Sequence, residues 1–160
     1  MAIYMKYKGG DVKGDVTEEG HTQWISLNSL QWGVGRGIAA PVGNAVNREA
    51  SHPSVSEIIV SKSLDAGSTS LLTEALVGEG ADCQIDFCKT EKDKLVVYLT
   101  LTLTNTMISG YSLNSGGDKP SESLSLNFTK VEFKNFPMDS TGKVGSADPV
   151  TYDIGLAKKV

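Results

Sequence analysis

The sequence predicts a mainly β domain, an antiparallel β-barrel or two-sheet sandwich with one short α-helix. Three observations carry that reading. Apolar and polar residues alternate in many short runs, most clearly Leu95, Val97, Leu99, Leu101 and Leu103 against Val96, Tyr98, Thr100, Thr102 and Thr104; this period of two is the signature of strands. Turn-rich breaks separate the runs, supplied in part by 17 glycines. Only one segment has helical periodicity, and no repeated βα units appear, which excludes a doubly wound α/β fold. The 160 residues suit a single domain over 1–160 that can bury a core without a disulfide or metal.

The elements follow in order. Ile3–Lys8 alternates as a first strand, and Gly9–Asp15 is a turn-rich connector. A second strand lies in His21–Gly33, where apolar parity shifts from Ile25 and Leu27 to Leu30 and Trp32; a β-bulge at Asn28–Ser29 would turn all four to one face. Val34–Pro53 shows no clear period, and so long a connection is usually functional. Ser54–Leu64 resumes as a strand. In Asp65–Gly78, either Asp65 or Ser68 can cap a helix whose Leu71, Leu72, Ala75 and Leu76 form one apolar stripe for packing on a sheet. Strands follow at Cys83–Lys89, Lys94–Thr104, Met107–Leu113 and Glu122–Phe133, the last with a second bulge expected at Thr129–Lys130. Asp139–Lys143 is a turn, and Val150–Leu156 a final strand.

Chemistry-bearing residues are sparse. Cys83 and Cys88 are five apart on one strand and so on opposite faces; they cannot bridge, and Cys83 is expected to pack inward with Ile85 and Phe87. His21 and His52 have no second His or Cys at metal-ligand spacing and are expected at surface or turn positions. Glu18-Glu19 reads as a solvated turn. No nucleophile elbow surrounds a serine. Gly35-Arg36-Gly37-Ile38-Ala39-Ala40 fits a dinucleotide fingerprint, but Pro41 and Gly43 stand where its helix should run. No catalytic residue, cofactor or metal set is assigned. The net charge of −4 and the lack of a basic stripe argue against a nucleic-acid partner. Apolar runs fall well short of a membrane span. The N-terminus has no apolar core after a basic start, so no cleavable signal is expected.

Several blocks in order and spacing resemble the Hcp family, the haemolysin-coregulated tube proteins of type VI secretion. They are Tyr4-Met5-Lys6, Trp24–Leu27 with Gln31-Trp32-Gly33, Leu64–Ser68, Lys94–Leu99, Ile108–Ser112, Gly117–Glu122, Leu124–Phe128, Lys130–Phe133 and Asp139–Lys143. Met138 and Ser109-Gly110 depart from the common family pattern. The resemblance implies a small β-barrel of two sheets that assembles as a homohexameric ring. Rings stack into a tube inside a contractile sheath behind a spike, and small effector proteins ride in the lumen. It also implies a non-enzymatic protein, made in the bacterial cytoplasm and exported without a signal peptide; with its end at Val160, the chain reads as the form without an appended toxin domain.

In that light Gln31 is a candidate lumen residue by its matched position. Val42, Asn44 and Asn47, in the Ala39–Pro53 loop, are candidates for ring stacking. Thr100 and Thr102 are candidates for a subunit or channel face. The residues alone also admit a monomeric ligand- or carbohydrate-binding β-sandwich, or a hydrolase on a β scaffold.

Overall fold

The computed structural model describes residues 1–39, 42–43 and 48–160. Its strands are β1 (Ala2–Tyr7), β2 (Ile25–Leu27), β3 (Ser29–Gln31), β4 (Val34–Gly35), β5 (Ile38–Ala39), β6 (Glu49–Ala50), β7 (Ser54–Val55), β8 (Ile58–Ser63), β9 (Ala81–Glu91), β10 (Lys94–Asn114), β11 (Ser121–Asn127), β12 (Lys130–Asn135), β13 (Asp148–Asp153) and β14 (Lys158–Lys159), with helix α1 (Ser68–Val77) after β8. All pairings are antiparallel. One sheet runs β2-β1-β9-β10-β12-β13-β14. The other runs β10-β11-β8-β3. The sheets do not close into a barrel. They form the two-sheet sandwich, with inward residues of both faces making one core.

That core contains Met5, Ile25, Leu27, Ile58, Val60, Cys83, Ile85, Leu101, Leu103, Leu124, Leu126 and Val131, all buried. Each sits at the inward parity of its strand, so the alternation read from the sequence is the packing pattern. Tyr7 is also buried, and its hydroxyl donates to the Thr106 carbonyl at 3.1 Å, which satisfies the polar end of an otherwise apolar side chain.

The expected bulges prove to be corners. At Asn28 the chain leaves the first sheet, where β2 pairs with β1, and enters the second, where β3 pairs with β8; the Asn28 amide already donates to the Ser61 carbonyl at 2.7 Å. At Phe128–Thr129 the chain crosses back, from β11 in the second sheet to β12 in the first. Parity changes because the strand changes partner sheet, and the inward facing of Ile25, Leu27, Leu30 and Trp32 is kept. The two strands expected over Lys94–Thr104 and Met107–Leu113 are one, β10. It turns at Asn105, whose φ is 54°, and its two halves belong to different sheets.

Two further expectations are corrected. In the segment expected to be structureless, β4 pairs with β7, just beyond Pro53, and β5 with β6, so that its described residues include a short two-stranded arm. Gly35 and Gly37 hid its alternation, and its ladders are only two residues long. These strands also occupy the place of the helix that a dinucleotide fingerprint needs. On α1, Leu71 is fully buried and Ala75 half-buried, but Leu72 is 40% exposed and Leu76 74%. The helix rests against β10 along the narrow Leu71–Ala75 line. A step of ~100° per residue swings Leu72 and Leu76 off that line. Gly67, not Asp65 or Ser68, is the N-cap. The two side chains instead tie the entry turn: Asp65 Oδ1 accepts from the Gly67 amide at 2.9 Å, and Ser68 Oγ from the Asp65 amide at 3.0 Å.

Candidate functional site

Three regions carry the polar chemistry. The first lies inside the molecule at the start of α1. Lys62 follows Ile58 and Val60 at the inward parity of β8, and Glu122 precedes Leu124 and Leu126 at the inward parity of β11; the register sets the two side by side. Both side chains are completely covered, with Lys62 Nζ 2.7 Å from Glu122 Oε1. Lys62 Nζ also donates to Asp65 Oδ1 and the Ser63 carbonyl, both at 2.9 Å. Ser68 Oγ donates to Glu122 Oε1 at 2.6 Å, and the Tyr111 hydroxyl donates to Glu122 Oε2. Burial pushes the Glu122 carboxyl up, but the bonds from Lys62, Ser68 and Tyr111 outweigh it and hold the group below its ordinary value. The Tyr111 hydroxyl is pushed up to about 12 by burial and by the bond to Glu122. Both carboxylates lie at the helix N-terminus, where the dipole favours negative charge. The network joins two of the quoted blocks: the Leu64 amide donates to the Pro120 carbonyl at 3.0 Å, so Leu64–Ser68 and Gly117–Glu122 are neighbours because they share one polar core. The sequence reading missed Lys62 and the pairing of Glu122. Opposite charges at inward parity on two strands were the available signal.

A second buried cluster lies on the other face of the first sheet, under the Lys13–Trp24 segment. His21, expected at the surface, is 7% exposed. Its Nδ1 is 2.5 Å from Glu18 Oε2 and its Nε2 2.9 Å from Asp86 Oδ2. Glu18 is therefore tied inward, not simply solvated. Asp86 Oδ1 accepts from Thr100 Oγ1 at 3.0 Å and Gln84 Nε2 at 3.1 Å. Cys88 is covered too, its Sγ 3.9 Å from His21 Nε2. Cysteine, histidine and carboxylate are together here, yet burial, with Asp86 and Glu18 adding to it, pushes the Cys88 thiol up to about 11. A covered, protonated thiol is a poor nucleophile. Cys83, as expected, is on the opposite face in the core, and burial raises its thiol as well. Both cysteines are free. Among the described residues no group of three or more His, Cys, Asp or Glu is arranged to hold a metal ion.

The third region is the open surface. Gln31 is exposed at the end of β3, the edge strand of the second sheet, and borders an open cavity with Trp32, Glu57, Ile59 and Ser125. Thr100 and Thr102 share a sheet face but differ in environment. Thr100 is 8% exposed and bonded into the Asp86 cluster. Thr102 is half-buried beside a cavity of about 400 Å³ that it shares with Thr104, Lys130, Glu132 and Thr151. Val42 is fully exposed in the arm; Asn44 and Asn47 lie outside the described residues. Exposed Val34 and Ile38 extend along the same arm.

A family model described as "Type VI secretion system effector, Hcp" matches residues 4–134, from β1 into β12, and so includes the arm, α1 and all of the first sheet but β13, β14 and the ends of β1 and β12. The chain belongs to the Hcp family. The Hcp1 protein of Pseudomonas aeruginosa PAO1 is 25% identical over 163 aligned positions, covering 100% of this chain and 99% of that protein. A solved structure described as a type six secretion system protein superposes with a TM-score of 0.88 at 24% identity, covering 99% of each chain. Hcp1 of Salmonella typhimurium follows with a TM-score of 0.77 at 18% identity, covering 99% of this chain and 98% of its own. At such identities the structural likeness shows the Hcp fold alone. The family match makes the chain an Hcp protein of type VI secretion. No helix among the described residues is long and apolar enough to cross a membrane.

Proposed function

We propose that this chain, as one Hcp domain over 1–160, is the structural subunit of a type VI secretion tube. It forms homohexameric rings that stack, is propelled by a contractile sheath behind a spike, carries small effectors in the lumen and is itself exported from the bacterial cytoplasm. The family match over residues 4–134 is the observation that carries this reading. The polar clusters support a non-enzymatic role, because their groups are bonded to one another under cover. A closed ring needs two different patches on each subunit; the Thr102 face is one candidate, and Thr100 contributes from beneath it. Gln31, exposed on an edge strand, is the candidate lumen contact. The arm, with Val42, Asn44 and Asn47, is the candidate ring-stacking element. No cofactor or nucleic acid is required.

Native mass measurement with negative-stain imaging tests the proposal. A sixfold ring is expected; a monomer at high concentration would overturn it and favour the ligand- or carbohydrate-binding sandwich. Deleting Val42 to Asn47 is expected to leave rings intact and shorten tubes, whereas broken rings would move the arm to lateral contacts. The net charge of −4, repeated around a ring, makes stacking salt-dependent.

A further inference from the structure

We propose that His21 is a pH-sensitive latch: held as an imidazolium between Glu18 and Asp86, it pins the Lys13–Trp24 segment to the first sheet and releases it on losing one proton. Both ring nitrogens face carboxylate oxygens, at 2.5 Å for Nδ1 and 2.9 Å for Nε2. An ionised carboxylate only accepts, and a neutral imidazole has one N–H and one lone pair. A doubly protonated ring therefore serves both partners, and a neutral ring serves one. Asp86 acts as an acceptor at its other oxygen too, which takes bonds from Thr100 and Gln84.

The pinned segment depends on this ring. Within Lys13–Trp24, Val16 is the one buried aliphatic residue. The backbone bonds of the segment close mostly on themselves: Gly14 N–H to Gln23 O at 2.8 Å, Gln23 N–H to Val16 O at 2.7 Å and Val16 N–H to Trp24 O at 3.2 Å. His21 connects that unit to the sheet, packed between the Tyr4 ring at 5.0 Å and the Trp24 ring at 4.6 Å.

The charged and titratable groups around the latch are Glu18 on its own segment, with Glu19 beside it; Tyr4 and Lys6 on β1, the latter over Trp24; Asp86 and Cys88 on β9; and Asp93 and Lys94 at the β9–β10 turn, which share a cavity with Glu18 and Glu19. The direction follows from the charges. With the imidazolium present, two carboxylates share two donors. Once pH rises through the titration of His21, they share one donor and the segment loosens. Strong acid, by protonating the carboxylates, undoes the same contacts from the other side.

Nitrogen-15 NMR of the ring on the full chain at neutral pH tests the charge state directly. Two protonated nitrogens are expected; a neutral ring, with the shared proton on Glu18, would overturn the proposal. Amide exchange then tests the release. As pH rises through the titration of His21, the opening equilibrium of the Gly14, Val16 and Gln23 amides should rise by on the order of tenfold or more, relative to the core amides of Met5 and Ile85. His21→Gln should be open at every pH with no step. If that variant fails to fold, Glu18→Gln, altering a partner at the margin of the cluster, should open the segment and abolish the step. A step that is absent in the natural chain, or kept in Glu18→Gln, rejects the latch.

Discussion

Replacing Lys62 with methionine tests whether the polar network at the head of α1 holds the two sheets and the helix together. Methionine keeps most of the aliphatic stem and removes the charge. The structure sets the magnitude. Both Lys62 and Glu122 are completely covered, and Asp65 nearly so, so the variant leaves carboxylates without their buried counter-charge. Breaking one side of such a pair costs ~3–5 kcal/mol. For a domain of this size each kcal/mol lowers the melting temperature by ~2–4 °C, so a fall of roughly 6–20 °C is expected. Glu122→Gln should cost less, about 2–3 kcal/mol, because Asp65 remains beside the ammonium and the amide still accepts from Ser68. The double variant should cost less than the sum of the two by about 1–3 kcal/mol, as residues in one network do. Urea unfolding with an unchanged slope, supported by thermal melts, measures all three. A Lys62→Met cost under about 1 kcal/mol, or strict additivity in the double variant, would refute the reasoning.

Three further outcomes follow from the same contacts. Because Glu122 is held below its ordinary value of 4.5, it contributes stability above that pH and loses it as pH falls further; an acid titration of Glu122→Gln should show a shallower acid limb than the natural chain. Gly14→Ala places a Cβ 2.4 Å from the Trp24 carbonyl oxygen and 2.9 Å from Ile25 Cα, both backbone atoms, and chemical denaturation should show a loss of ~1–3 kcal/mol. Leu71→Ala, in the core, should cost ~2–5 kcal/mol, whereas Leu76→Ala on the exposed side of α1 should fall within ~0.5 kcal/mol in the isolated subunit; equal costs would contradict the orientation of the helix.

Much of the architecture is legible in local patterns. Leu101 and Leu103 do turn into the core, but Leu95, Val97 and Leu99 are only half-buried, because the β9–β10 register shifts between Val97 and Leu99 and breaks the alternation there. Cys83 does lie inward with Ile85, and the Asp139–Lys143 turn forms, its Asp139 carboxylate accepting from the Thr141 and Lys143 amides at 2.9 Å. The helix is found where Asp65–Gly78 indicates, but its stripe is misread, because periodicity shows which residues share a face and not how wide the contact will be. Of the candidate surface residues, Thr100 and Thr102 looked alike by alternation. Only the cross-strand neighbour Asp86, paired with Thr100 in the register, draws one of them into a buried cluster. The family resemblance was carried by blocks whose physical basis was invisible in the chain: Leu64–Ser68 and Gly117–Glu122 meet through Lys62 and Glu122, 60 residues apart.

The sequence by itself determined the strand-rich class, the single helix, the inward side of the strands that build the core and the family, because period-two alternation, turn chemistry and the order of motifs are properties of neighbouring residues. Tertiary structure alone decided that the apparent bulges at Asn28 and Thr129 are corners between sheets, that Val34–Gly35 pairs with Ser54–Val55 and Ile38–Ala39 with Glu49–Ala50, that Lys62 finds Glu122, and that His21 is buried against Asp86. Each of these depends on which distant segment becomes a neighbour. Local propensity says nothing of that choice, which rests on filling one core and leaving no buried charge unpartnered.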